Sequence, residues 1–137
     1  MIKADNLTKR FQGVTAVDHI HAEIQDGTVF GLIGTNGAGK STFLRMAAGI
    51  LKPDEGTITL DGEAVFEDIR VKARCFYIPD EPYFLGNGTA DDMKTFYQGI
   101  YPNFDTDRFG KLLKSFELDG RRKIQTFSKG MKKQLAV

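Results

Sequence analysis

The chain has 137 residues, 41% apolar and 27% charged, with a net charge of +1. That is about one domain's length, with the composition of an ordinary soluble globular protein. The near-zero balance supplies no strong basic field for nucleic acid. No apolar run approaches the roughly 18 residues of a membrane span, and the opening "MIKADNLTKRF" carries no apolar signal segment, which makes the cytosol the simplest compartment.

In chain order, the first 35 residues read as strands. Ile20, Ala22 and Ile24 alternate with His19, His21 and Glu23, predicting a half-buried strand with both histidines on its solvated face. "TVFGLIG" (28–34) is a near-continuous apolar run, as expected of a buried parallel strand. "STFLRMAAGIL" predicts a helix with Leu44, Ala47, Ala48 and Leu51 on one face. "TITLDGEAV" (57–65) is two short β runs around Asp61-Gly62, a two-residue hairpin signal. "ARCFYIP" predicts another buried strand, ended by Pro79, with the lone Cys75 as a small core residue.

The character changes after residue 88. Thr89 with Asp92 three later predicts a capping box. Met93, Phe96, Tyr97, Ile100 and Tyr101 form a helical stripe that stops at Pro102. A second helix is predicted from about Asp105, with Phe109, Leu112, Leu113 and Phe116 inward. The chain therefore reads as α/β: a mainly β part with a β–loop–α unit over 1–82, then a mainly helical part over 83–137. The boundary falls in the turn-rich "PYFLGNG" (82–88).

"GTNGAGKS" (34–41) fits G-x-x-x-x-G-K-[ST], after an apolar run and before a helix. Gly34, Gly37 and Gly39 let the backbone of Thr35, Asn36 and Ala38 curl, so that several N–H groups converge. The helix dipole adds to the attraction for phosphate. Lys40 would reach the β- and γ-phosphates, Ser41 would ligate Mg²⁺, and Thr42 would sit beside the phosphates. The loop implies a nucleoside triphosphate without choosing between kinase, GTPase, motor and transporter ATPase. A guanine-reading Asn-Lys-x-Asp is absent. Near the end, "FSKGMKKQL" places Ser128 as an N-cap, with Met131 and Leu135 at helical spacing behind it. Ser128, the Gly130 backbone and a helix N-terminus can form an anion site, or Ser128 can be a helix cap only.

Together, "LTKRFQGVTAV", "AAGILKPDEGTITLDGE" and "FSKGMKKQL" resemble the ATP-binding subunits of ABC transporters, in order and over essentially the whole chain. The resemblance implies a P-loop NTPase of ABC type: an N-terminal antiparallel β subdomain, a core sheet that is incomplete here, and a helical subdomain. The Ser-Lys-Gly-Met variant with "YIPDEP" is similar to bacterial exporter-type subunits. Phe11 falls at the family's adenine-stacking aromatic, with matching spacing to Ala16 and Val17; a core role is the alternative. Gly34–Thr42 match the phosphate loop without departure. Asp80 stands where the family commonly has a glutamine touching Mg²⁺ and the attacking water. Glu81 could take that role, and a solvent-facing loop is the alternative. At the signature, Ser128 and Gly130 match, while Lys129 and Met131 replace the commoner Gly and Gln.

The resemblance further implies ATP and Mg²⁺ as ligands, a transmembrane permease subunit as partner, and a second ATP-binding subunit in a head-to-tail dimer. It places the protein at the cytoplasmic side of the plasma membrane, with Tyr83 and Phe84 as candidate contacts to the membrane subunit. The chain corresponds to the N-terminal portion of such a domain. It lacks the Walker B Asp-Glu strand and the later histidine, and His19 and His21 come too early to replace the latter. Hydrolysis is thus expected of the complete domain and not of this chain alone, whose inner faces at Val29 and Ala47 would be exposed. A non-hydrolytic nucleotide- or partner-binding module, and a soluble ABC ATPase, are the alternatives.

Overall fold

A computed structural model describes residues 1–137. The chain forms two compact units, Met1–Tyr77 and Ile78–Val137.

In the first unit, β1 (Ile2–Phe11) and β2 (Val14–Ile24) form a long antiparallel hairpin. β3 (Glu55–Leu60) pairs with the other edge of β1, and β4 (Glu63–Ala64) folds back on β3, giving the order β2-β1-β3-β4. Both hairpins close through two residues with positive φ, 43° and 84° at Gln12-Gly13 and 51° and 84° at Asp61-Gly62. These are type I′ turns, whose twist matches that of the strands. The Asp61-Gly62 turn stands as the sequence predicts.

The sheet buries Ala4, Leu7, Val17 and Ile58 against Phe43, Met46 and Ala47 of α1 (Lys40–Ala47), with Val65 and Val71 completing the cluster. Val71 comes from the one-turn helix α2 (Ile69–Lys72). Full burial of a side chain such as Leu7 or Met46 contributes about 1.5–3 kcal/mol. Thr8 is the one buried polar residue here, and its Oγ1 accepts the His19 N–H at 3.1 Å, where β2 is locally irregular. β1 is bulged between Asp5 and Thr8 in its pairing with β3, and there Gly56 crosses it closely. A Cβ on Gly56 would stand 2.2 Å from the Asn6 carbonyl oxygen, at a φ of +76°.

In the second unit, α3 (Ala90–Ile100), α4 (Thr106–Ser115) and α5 (Lys129–Ala136) are each capped by a side chain. Thr89 and Asp92 form the predicted capping box, whose hydrogen bonds from the Thr89 backbone and hydroxyl hold the Asp92 carboxyl below its ordinary range. Asp105 accepts from the Arg108 N–H at 2.8 Å. Ala90, Met93, Leu118, Ile124 and Phe127 are buried. The Asp91 N–H donates to the Gly120 carbonyl and the Ile124 N–H to the Gly88 carbonyl, tying the start of α3 to the segment before α5.

Several expectations are corrected. Residues 28–34 form no strand, and Val29 and Ile33 are fully exposed. Residues 73–79 form no strand either: Phe76 is exposed, and Cys75 is half-buried rather than core. A parallel strand needs a ladder partner, and neither run meets one in the four-stranded sheet. α1 buries Phe43 and Met46, turning Leu44 outward, and Ala47 is buried rather than exposed. Ile20 is exposed beside the irregularity at His19. On α3 only Ala90 and Met93 are buried, leaving Phe96, Ile100 and Tyr101 exposed. On α4 Leu112 is exposed, while Phe109, Leu113 and Phe116 are half-buried along a groove of about 330 Å³ shared with Leu135.

Gly56→Ala is expected to lower stability by about 2 kcal/mol or more, from left-handed strain plus the clash with β1. A fall in the urea midpoint at unchanged m-value checks this.

Candidate functional site: a phosphate loop and its surroundings

Residues 34–40 run from the end of the apolar segment into α1. The Ala38 N–H donates to the Thr35 carbonyl at 3.3 Å, and the Phe43 N–H to Gly39 at 2.9 Å, so the curl passes directly into the helix. Gly39 is the N-cap, at φ 81°. A Cβ there would lie 2.0 Å from the Ala16 carbonyl oxygen and 3.2 Å from Val17 Cγ2. The loop is therefore pressed against β2 backbone to backbone, and Val17 is buried beneath it. Only glycine fits this contact.

α1 has no side-chain cap and no acidic residue in its first turn, whereas α2, α3, α4 and α5 are each capped by a side chain. Its first N–H groups and the positive end of its dipole thus remain available to an anion. The Lys40 ammonium has no carboxylate partner. It donates to the carbonyl oxygens of Gly34 at 2.7 Å and Thr35 at 2.6 Å. A cation satisfied only by neutral oxygens at the mouth of an uncapped helix fits a polyphosphate. Asn36, Gly37, Ala38 and the Ser41 hydroxyl are exposed, and Thr42 is half-buried at the edge of the core.

Phe11 lies at the end of β1 and is 44% exposed. Lys9 Nζ stands over its ring, 5.5 Å from the centroid. Asp80 and Glu81 are exposed in a bend of the second unit. Tyr83 is exposed and Phe84 half-buried. Ser128 caps α5, its Oγ accepting the Met131 N–H at 3.2 Å, with Gly130 exposed beside it. His19 and His21 are exposed and pair with Asp18 and Asp5. No group of three or more His, Cys, Asp or Glu side chains converges on a metal position. The Ala16 carbonyl under Gly39 and the Lys9 contact with Phe11 are absent from the sequence reading; the spacing of Lys9 and Phe11 on one side of a strand is the signal for the second.

An antiparallel sheet beside a glycine loop that opens into an uncapped helix, followed by a helical unit, defines a nucleotide-binding domain of P-loop type. The chain belongs to the ABC transporter family, whose model matches residues 17–137. It is 33% identical over 137 residues to the ABC transporter ATP-binding protein YtrB of Bacillus subtilis, covering all of this chain and 47% of that protein. It is 31% identical to the bacitracin transport ATP-binding protein BcrA of Bacillus licheniformis, covering all of this chain and 46% of that protein. The chain thus spans about half the length of the curated relatives it matches. A solved ATP-binding subunit of an ABC transporter has the same fold, with a TM-score of 0.81 at 23% identity over 98% of this chain and 59% of the other.

Lys40→Ala is expected to weaken ATP–Mg²⁺ binding by about 1.5–3 kcal/mol, the range for a charge-assisted contact, at unchanged fold stability. Gly39→Ala is expected to lower both affinity and stability, because its Cβ has no room against β2. Calorimetric titration beside urea midpoints separates the two effects.

Proposed function

We propose that this chain is the nucleotide-holding part of an ABC transporter ATP-binding subunit, which couples ATP binding and hydrolysis to membrane transport. The observation that carries this reading is the uncapped α1 with Lys40 at its mouth and no carboxylate in contact. Gly34–Thr42 bind the triphosphate through backbone N–H groups, and Lys40 exchanges its two carbonyls for phosphate oxygens. Mg²⁺ would be held through the Ser41 hydroxyl and would neutralise phosphate charge. Phe11 offers an exposed ring to the base, with Val17 beneath the loop.

Asp80, with Glu81 beside it, takes the role of the family's Mg²⁺- and water-contacting residue. Ser128 and Gly130 meet the γ-phosphate held by a second ATP-binding subunit, which sets two subunits head to tail. The membrane partner is a permease subunit, so the protein works at the cytoplasmic face of the plasma membrane; no helix of the chain is itself long and apolar enough to cross one. Transport in the export direction is supported by a relative named for SkfA peptide export. Hydrolysis is read as a property of the complete domain, and the chain alone as binding nucleotide without useful turnover.

Phe11→Ala is expected to weaken ATP by about 1–3 kcal/mol, the worth of one base–aromatic stack, and to leave inorganic triphosphate unaffected. Parallel titrations of the two ligands check this, and equal losses would show that Phe11 acts through packing. Released phosphate, followed in the same ATP samples of the parent chain, is expected to stay at background.

A further inference from the structure

Phe11 does not stand alone at the end of β1. The Lys9 ammonium covers one face of its ring, 5.5 Å from the centroid. Lys9 is itself held: its Nζ donates to Asp54 Oδ1 at 2.8 Å, and its side chain is only 13% exposed. The other oxygen of Asp54 accepts the Arg10 N–H at 2.6 Å. Asp54 comes from the turn just before β3, and its own N–H donates to the Thr8 carbonyl at 2.9 Å. Asp54 thus clamps three successive residues of β1 immediately before the ring, Lys9 and Arg10 through its carboxylate and Thr8 through its backbone N–H. The hydrogen bond from Lys9, then that from the Arg10 backbone, hold the Asp54 carboxyl below the usual carboxylate range, so the clamp is ionised at neutral pH. Lys9 also pairs across the ladder with Val17, which underlies Gly39 of the phosphate loop.

We propose that Lys9, fixed by Asp54, is a positioning residue for nucleotide recognition: it occupies one face of Phe11 and leaves the other to receive the base. This rests on the reading of Phe11 as the base platform. Two physical effects follow. A ring with one face occupied by a long side chain loses its freedom to swing, so less ordering remains to be done when the base arrives. A cation over one face also draws electron density from the ring, which favours stacking of an electron-rich purine on the opposite face. A cation–π contact at a partly exposed site is worth a small factor in affinity, and all of it should appear in the base-dependent part of binding.

The experiment titrates ATP–Mg²⁺ and inorganic triphosphate against the full chain and four variants: Lys9→Met, Lys9→Arg, Asp54→Asn and Phe11→Ala. Lys9→Met keeps the length of the side chain and removes its charge. It is expected to weaken ATP roughly two- to fivefold and leave triphosphate unchanged. Lys9→Arg, which stacks at least as well, is expected to restore ATP binding. Asp54→Asn keeps an acceptor for the Arg10 N–H but releases the ammonium, and it is expected to move ATP in the same direction as Lys9→Met. The ratio of the two affinities is the readout, so a general loss of folded protein does not imitate the effect. Equal weakening of both ligands by Lys9→Met, or no weakening of either, overturns the proposal while leaving the platform reading intact if Phe11→Ala is ATP-selective. An unselective Phe11→Ala overturns the platform reading and this inference with it.

Discussion

The carbonyl oxygen of Ala16 lies where the side chain of residue 39 would begin, and most of the first unit is arranged around that contact. β2 can offer this carbonyl only because the tight hairpin at Gln12-Gly13 and the register with β1 fix where Ala16 and Val17 fall. The glycine loop can reach it only because no Cβ intervenes. Once the loop lies on β2, α1 starts at Lys40, and its fourth and seventh residues, Phe43 and Met46, join Leu7 and Ile58 in the core. One backbone contact therefore fixes both where the helix opens to an anion and which of its faces enters the core.

The contrast between α1 and the other α-helices has an electrostatic logic. Asp68, Thr89, Asp105 and Ser128 fill the starts of α2, α3, α4 and α5 with side-chain oxygens. Each satisfies donors that would otherwise need water, and each such cap typically stabilises by about 1 kcal/mol. α1 forgoes that stabilisation and places a lysine at its first position, against the preference of its own dipole. Local rules are broken in this way where a ligand is meant to supply the missing charge. The sheet and the core beneath α1 make up for the deficit through burial.

What the sequence discloses here divides by range. The phosphate loop, the Asp61-Gly62 hairpin, the Thr89–Asp92 capping box and the Ser128 cap are each decided within four to eight residues, so residue types and spacing suffice. The runs at 28–34 and 73–79 look like buried strands because Val, Phe, Leu and Ile are what such strands contain. A strand, however, also needs a neighbour, and pairing is a property of distant segments. Part of the buried side of α1 escapes the sequence for a related reason: Ala47 and Leu51 meet the core, but Leu44 turns outward and Phe43 and Met46 take its place. Leu44, Ala47, Ala48 and Leu51 make a plausible stripe, but the loop's seat on β2 sets the helix rotation, and that seat is invisible in a linear pattern. The exposure of Phe11 and its partnership with Lys9 and Asp54 likewise depend on a turn more than forty residues away.

The self-satisfied state of Lys40 has a consequence for which anions can compete for the loop. An incoming anion must replace two hydrogen bonds of 2.6–2.7 Å to backbone carbonyls before it gains the ammonium. Chloride, with a single charge and no fixed geometry, recovers little from that exchange. A polyphosphate recovers it several times over, because the same movement of Lys40 also brings its oxygens to the uncapped N–H groups of α1. The lysine's resting bonds thus act as a threshold on ligand charge, filtering the abundant small anions of a cell from the rarer polyvalent ones before any base is read.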